Sequence, residues 1–414
     1  MTQRIYDVAV IGGGPAGCMA AIRAAGLGKA VVLIERNDSI GKKILITGKG
    51  RCNLTNSSPI DTFIKKFNPG GEFLRTAFFA FSNEDLMDFF RSNGLELKCE
   101  RQGRVFPADD KASSVVSILE NVLKQSGVDT AYNTRITGIT HKKDQFIIEL
   151  EAGDKIKAKK VVLATGGVSY KATGSAGDGF VIAEQLKHEL TPFLPALVPL
   201  KTKENWIKSL QGLALEHIKI TFCLGKKKII SDVGELMFTH FGVSGPLVLD
   251  LSGDVMAELE KHKEIKMEID LKPGLRIEQL ESKFVHKFAV KGNIQMKNLM
   301  QDVLPKRMIP VFLSLAGIDE DKRTNQVTKT DRKKMIDMLK RFPLTIVGSL
   351  PVEEAMVTAG GVSKDDINPR TMESRKVPGL YFAGEIIEGA ASSGGYNLQQ
   401  AFSTGYLAGT CAAG

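Results

Sequence analysis

Three glycines and one carboxylate carry the first chemistry in this chain. Gly12, Gly14 and Gly17 follow an apolar run over residues 6–11 in the spacing G-x-G-x-x-G, and Glu35 closes a second apolar run over residues 31–34. In a βαβ unit the first glycine makes the tight turn, the second lets backbone approach a pyrophosphate, and the third packs helix on strand. The helix N-terminus turns its unpaired N–H groups on the phosphates. The acid beyond the second strand accepts from both ribose hydroxyls of an adenosine. Pro15 and Ala16 start the alanine-rich helix expected over residues 15–27, and Arg36 follows the acid. The pattern predicts a site for an ADP-containing cofactor.

A second glycine-rich stretch lies near the other end. A strand expected over residues 377–382 runs into Gly384 and Glu385, and Gly394-Gly395-Tyr396-Asn397-Leu398-Gln399 then opens a helix of small residues. A helix N-terminus there can meet the electron-rich edge of a flavin and stabilise charge on its reduced form. A third turn, Ala164-Thr165-Gly166-Gly167, follows the strand expected over residues 160–164. It lacks the full fingerprint and a following acid, so it reads as a later crossover of the same sheet, lying against the cofactor.

The elements that must position these turns are α/β over residues 1–190, with helices at 84–93 and 112–125 and strands at 146–151 and 160–164. Composition changes near Thr191-Pro192, and residues 218–223, 229–231 and 265–269 read as short antiparallel strands. Residues 276–340 turn helical, with Met335, Ile336, Met338 and Leu339 as an apolar stripe and Arg332, Lys333, Lys334 and Lys340 as the exposed face. The expected organisation is a discontinuous cofactor domain over 1–190 and 355–414, a β-rich domain over 191–275 and 341–354, and a helical insert over 276–340.

Composition narrows the function classes. The five cysteines, Cys18, Cys52, Cys99, Cys223 and Cys411, are scattered and form no C-x-x-C, which argues against a disulfide-reductase pair and a zinc site, so no metal is expected. Lys and Arg exceed Asp and Glu, 56 to 47, for a net charge of +9. Such an excess permits a polyanionic partner. The basic residues gather at Lys201, Lys203 and Lys208, at residues 226–228 and over 322–341, without the interleaved aromatics of a single-strand stacking platform. No apolar run is long enough to span a bilayer, and the N-terminus enters a strand without a signal-peptide pattern, so the expected location is cytoplasmic.

Together with Gly41-Lys42-Lys43-Ile44-Leu45, residues 47–56 (TGKGRCNLTN), 103–107 (GRVFP), 238–246 (FTHFGVSGP), 358–362 (TAGGV) and 371–375 (TMESR), these motifs give a chain that resembles the BaiN/RdsA, or YhiN-like, family of bacterial FAD-dependent oxidoreductases over nearly its whole length. The resemblance implies a glutathione-reductase-type FAD-binding Rossmann domain interrupted by a β-rich domain and a small helical insert. It implies that residues 12–17 hold the pyrophosphate and that Glu35 and Arg36 stand at the ribose. Lys43 and the loop carrying Gly48, Arg51, Cys52, Asn53 and Thr55 would lie along the FAD, with Ile136, Ala164, Thr165 and Gly166 against it. Gly384, Glu385, Gly395, Tyr396, Asn397, Leu398 and Gln399 would close over the ring. One departure stands out: an Asp about three residues after Glu385 and an aromatic before the glycine pair are expected, and residues 386–393 (IIEGAASS) offer smaller groups.

Family resemblance further implies hydride transfer from NADH or NADPH through the flavin to a C=C bond. Without a second Rossmann fingerprint, donor and acceptor would use one open face alternately, which predicts ping-pong kinetics. Cys52 and His240 are the candidate proton donors. Two substrate classes follow: a bile-acid-like steroid enone, and a uridine of 23S rRNA reduced to dihydrouridine. Net charge favours the RNA, whose phosphates lysines can neutralise and whose uridine must be unstacked to react. A flavoprotein that binds a partner without efficient turnover is the reading from a different class.

Overall fold

The computed structural model describes residues 4–67, 70–142 and 144–414, and the chain divides into two compact units, Met1–Ala196 with Val352–Gly414, and Leu197–Pro351. In the first unit, β1 (Ile5–Ile11) lies parallel to β2 (Val31–Ile34) on one side and to β6 (Lys155–Leu163) on the other. β3 (Asp129–Ala131) extends the sheet beyond β2. The antiparallel pair β4 (Ile136–Lys142) and β5 (Gln145–Leu150) joins through β6, and β7 (Leu380–Phe382) lies parallel to the end of β6. Val8, Ala9, Val10, Val161, Val162 and Leu163 are fully buried, as strands covered on both faces require.

Register places the site. Ile11 pairs with both Ile34 and Leu163, and Leu163 with Phe382, so β1, β2, β6 and β7 end level with one another. Gly12, Glu35, Ala164 and Ala383 are the next residues in each strand, gathered at the carboxyl edge where open α/β sheets bind ligands.

The first helix, Pro15–Gly26, begins with Pro at a position that needs no N–H partner and is capped by Gly14 in extended backbone. The last helix, Tyr396–Ala413, packs along it through glycines. A Cβ on Gly405 would stand 2.2 Å from the Ala16 carbonyl oxygen, and one on Gly409 would stand 2.4 Å from that of Ala20. Only hydrogen at these positions lets the two backbones approach so closely.

The second unit is an antiparallel sheet of the strands Leu200–Thr202, Ala214–Leu224, Lys227–Ile230, Gly234–Phe238, Gly242–Ser244, Ile265–Asp270 and Phe342–Ser349. A pairing between Ala214–Leu224 and Ile265–Asp270 closes all but Lys227–Ile230 into a ring. Closure removes the open edges a sheet otherwise exposes. The helices Ile277–Lys291, Ile309–Ala316 and Lys329–Lys340 share one core with this barrel, where Phe284, Phe312, Met335 and Leu339 join Phe342 and Leu344. Met335, Ile336 and Leu339 of the expected stripe are buried, while Lys333 and Lys334 are exposed. Among the described residues no helix is long and apolar enough to cross a membrane.

Candidate cofactor site

At the level strand ends the first unit holds a cavity of about 190 Å³ that is open to solvent on one side. Its walls include Gly12, Gly14, Pro15, Ala16, Glu35, Arg36, Lys43, Ile136, Ala164, Thr165, Gly166, Gly384, Glu385, Asn397 and Leu398. The three fingerprint glycines do different work. Gly12 has φ +103°, and a Cβ there would meet the Ala164 carbonyl oxygen at 2.5 Å. At Gly17 the added Cβ would stand 1.8 Å from the Gly12 carbonyl oxygen, whereas at Gly14 it would meet nothing within 4 Å. The first and third are therefore demanded by the protein's own packing, and the second leaves space in the cavity wall for a ligand.

Glu35 is buried, and its carboxylate accepts from the Gly13 N–H at 2.6 Å and the Asn37 N–H at 2.8 Å. Those bonds fix it at the end of β2 and tie it to the glycine turn. Arg36 donates to Asp178 at 2.9 Å. Lys43 and Glu385 form a half-buried pair at 2.6 Å; Lys43 also donates to Ser169 at 2.7 Å, and Glu385 accepts from Ser169 at 3.0 Å and from the Thr358 N–H at 2.9 Å. Asn397 clamps the loop before the last helix, accepting from the Ala391 N–H at 2.9 Å and donating to its carbonyl at 3.0 Å.

The remaining expected contacts lie off the cavity wall. Gly48, at φ +55°, Arg51, Cys52, Asn53 and Thr55 are stitched instead to neighbouring chain. Arg51 pairs with Glu100 and Asp110 and stacks 4.2 Å above the Phe106 ring. With its amide turned to suit its neighbours, Asn53 donates to the carbonyls of Val105 and Thr55 and accepts from the Gly395 N–H at 3.0 Å. Thr55 donates to Gln399 at 2.6 Å, and Gln399 in turn donates to the Phe81 carbonyl. A Cβ on Gly395 would fall 2.4 Å from the Thr55 carbonyl, and the Tyr396 ring packs edge-on against Phe63 at 4.8 Å. These two motifs brace each other.

The two candidate proton donors stand in unlike settings. Cys52 is fully buried at φ +60°, and burial pushes its thiol up to about 12. His240 is exposed in the second unit, its ring edge-on to Phe241 at 4.9 Å. Cys18, near Glu35, is also driven well above the ordinary thiol range, chiefly by burial. Among the described residues no group of His, Cys, Asp and Glu is arranged to hold a metal ion.

Two cavity residues carry buried polar atoms without a partner among the described residues: the Thr165 hydroxyl and the Gln400 side-chain nitrogen. Both atoms are sealed by protein, and the Thr165 hydroxyl faces Gly179, where an added Cβ would stand 1.9 Å from it. The space before Gly14, at the N-terminus of the first helix, fits the pyrophosphate of a dinucleotide in this cavity. Gln400 was not among the expected contacts. The signal available was helical spacing: Asn397, Gln400 and Ala401 share one face of the last helix and line the cavity, while Gln399 and Ser403 face the Phe81 carbonyl.

Comparison with known proteins places these features in company. A family model described as HI0933-like protein Rossmann domain matches residues 6–411. The chain is 35% identical over 408 residues to a 3-dehydro-bile acid delta(4,6)-reductase of Clostridium scindens, covering 98% of each chain. It is 30% identical to the ribosomal RNA dihydrouridine synthases of Haemophilus influenzae, covering 96% of each chain, and of Escherichia coli, covering 97% of this chain and 96% of that one. Among solved structures, 3-ketosteroid delta1-dehydrogenase from Sterolibacterium denitrificans aligns over 99% of both chains with a TM-score of 0.54 at 12% identity. Such low identity reports the fold alone.

Proposed function

We propose that this chain, which belongs to the HI0933-like family and is an FAD-dependent oxidoreductase, uses NADH or NADPH to reduce a uridine of 23S ribosomal RNA to dihydrouridine. FAD, when bound, supplies the relay of a hydride equivalent from nicotinamide to an electron-poor double bond. In this reading the backbone of residues 12–14 and the N-terminus of the first helix hold its pyrophosphate. Glu35 takes the ribose hydroxyls. Lys43 and Glu385 hold remaining polar edges, and the brace of residues 48–55 and 395–399 stands behind the cavity wall. Of the two candidates for the proton to the second carbon this reading takes His240, because burial pushes the Cys52 thiol up to about 12.

One observation carries the choice of substrate. Residues 197–351 hold 26 Lys and Arg against 19 Asp and Glu, while the remainder of the chain is nearly balanced at 30 against 28. A steroid enone asks for no such charge; an RNA does, because each neutralised phosphate releases counterions. The test is mass spectrometry of rRNA nucleosides from strains with and without the gene. Loss of dihydrouridine on deletion, restored by the gene, is expected; retention of all of it overturns the reading.

The 35% identity to the bile acid reductase favours a second reading, reduction of a steroid-like enone. It predicts turnover of a 3-keto-4,6-diene that is insensitive to salt, whereas RNA binding weakens steeply as salt rises.

A further inference from the structure

The positive charge of the second unit is not spread over it. Residues 272–341 hold 16 Lys and Arg against 8 Asp and Glu, so this stretch accounts for eight of the chain's nine net charges. Helix Ile277–Lys291 buries Leu280 and Phe284, and beside them Lys283, Lys287 and Lys291 form a stripe at every fourth residue. Successive members stand about 6 Å apart along the axis, a row that suits a chain of phosphates better than a single small anion. One carboxylate, Asp302, serves both Lys287 and Lys291, at 3.1 and 2.5 Å.

Lys272 stands just before this helix, half-buried, and its ammonium has no hydrogen-bond or ion-pair partner among the described residues. Burial, then the charges of Lys283 and Lys287, hold its pKa below the ordinary lysine range. Lys340 joins from helix Lys329–Lys340, donating to the carbonyls of Lys272 and Leu275 and pairing with Asp270 at 2.5 Å. On the same helix the buried Arg332 Nε has no partner among the described residues. A solvated lysine surface lets its charges separate. Here ammonium groups converge on a half-buried one, and an ordered polyanion would relieve the repulsion.

We propose that residues 272–341 form the surface that docks the phosphate backbone of the RNA, with Lys272, Lys283 and Lys287 as its anchor. The inference rests on the RNA reading given above and names the part of the chain that grips the substrate.

The test compares FAD-loaded wild type with two variants of equal charge loss, Lys272→Gln/Lys283→Gln/Lys287→Gln and Lys226→Gln/Lys227→Gln/Lys228→Gln, in binding a large-subunit rRNA transcript across a salt series. Equal flavin content and equal thermal unfolding in all three proteins check that both units are folded. The anchor variant is expected to lose about tenfold or more in affinity, with a salt slope shallower by roughly 2–3, since each phosphate contact contributes about 0.9 in a duplex. The variant at residues 226–228 should stay within about twofold of wild type. Equal weakening of both variants, or none in the anchor variant, overturns the assignment while leaving the RNA reading intact. A wild-type protein that ignores the transcript, or binds phosphatidylserine vesicles instead, overturns both.

Discussion

The cofactor unit and the inserted unit hold their sites in different materials. Around the cavity the decisive atoms are backbone: the turn at residues 12–14, four strands ending level, and two helices in contact through glycines. In the inserted unit the decisive atoms are the ends of long side chains on helices whose backbones serve only to carry them. A site made of backbone tolerates almost no change at its glycines. A site made of lysines loses function by degrees, one charge at a time.

The largest expected effect is at Gly17. Its Cβ would overlap the Gly12 carbonyl oxygen, so Gly17→Ala should destabilise the cofactor unit by about 3 kcal/mol or more. Thermal unfolding with and without FAD measures this, and a normal melting curve would erase the contrast with the lysine surface. Next comes His240→Ala, which should slow reduction of the RNA substrate by about 100-fold or more if its imidazole supplies the proton. Cys52→Ala, in a buried site whose thiol is pushed up to about 12, should leave that step within about twofold and lower stability by about 1 kcal/mol. Rapid-mixing kinetics of both variants separates the donors; a slowed Cys52→Ala would reverse the assignment.

Gly14→Ala sharpens the comparison inside the cofactor unit. Beyond its chain neighbours no described residue lies within 4 Å of the added Cβ, so the cofactor-free protein should melt within about 0.5 kcal/mol of wild type. FAD affinity, followed by flavin fluorescence, should fall about tenfold or more, because the methyl occupies space left for the ligand. The inserted unit also carries a pH dependence. Lys322, with the cap at Thr328, holds the Asp331 carboxyl at about 2, below the ordinary value of 3.8. A depressed carboxyl contributes stability that is complete above about pH 4 and is lost as pH falls toward 2, and Asp331→Asn should remove about 1–2 kcal/mol of it at neutral pH. An unchanged acid limb in the variant would deny side-chain capping that role.

The same contrast explains what could be read in advance. Gly12 and Gly17 are legible because a steric demand of the backbone permits one residue type at one spacing, with Gly14 completing the motif, and the strand and helix around them follow from apolar runs of fitting length. Helix Ala112–Gln125 was legible for the same reason of pattern. The mutual brace of Asn53, Thr55, Gly395 and Gln399 was not, since polar residues in two distant segments do not declare whether they meet a ligand or each other. Nor was the shared core of barrel and helices, which depends on how two apolar faces meet. Gln400 lay one residue from an expected contact, and a helix turns neighbours about 100° apart.

The seam between the first and last helices has a consequence for how the protein is made. Tyr396–Ala413 leaves the ribosome only after the whole inserted unit has been synthesised, yet Gly405 and Gly409 complete the face of a helix begun at Pro15. Until then the nascent first helix has no lasting cover on that side. Closing so long a loop is slow, so the cofactor unit exists as a folded object only after its far segment arrives, and the inserted unit, contiguous in the chain, is free to fold first.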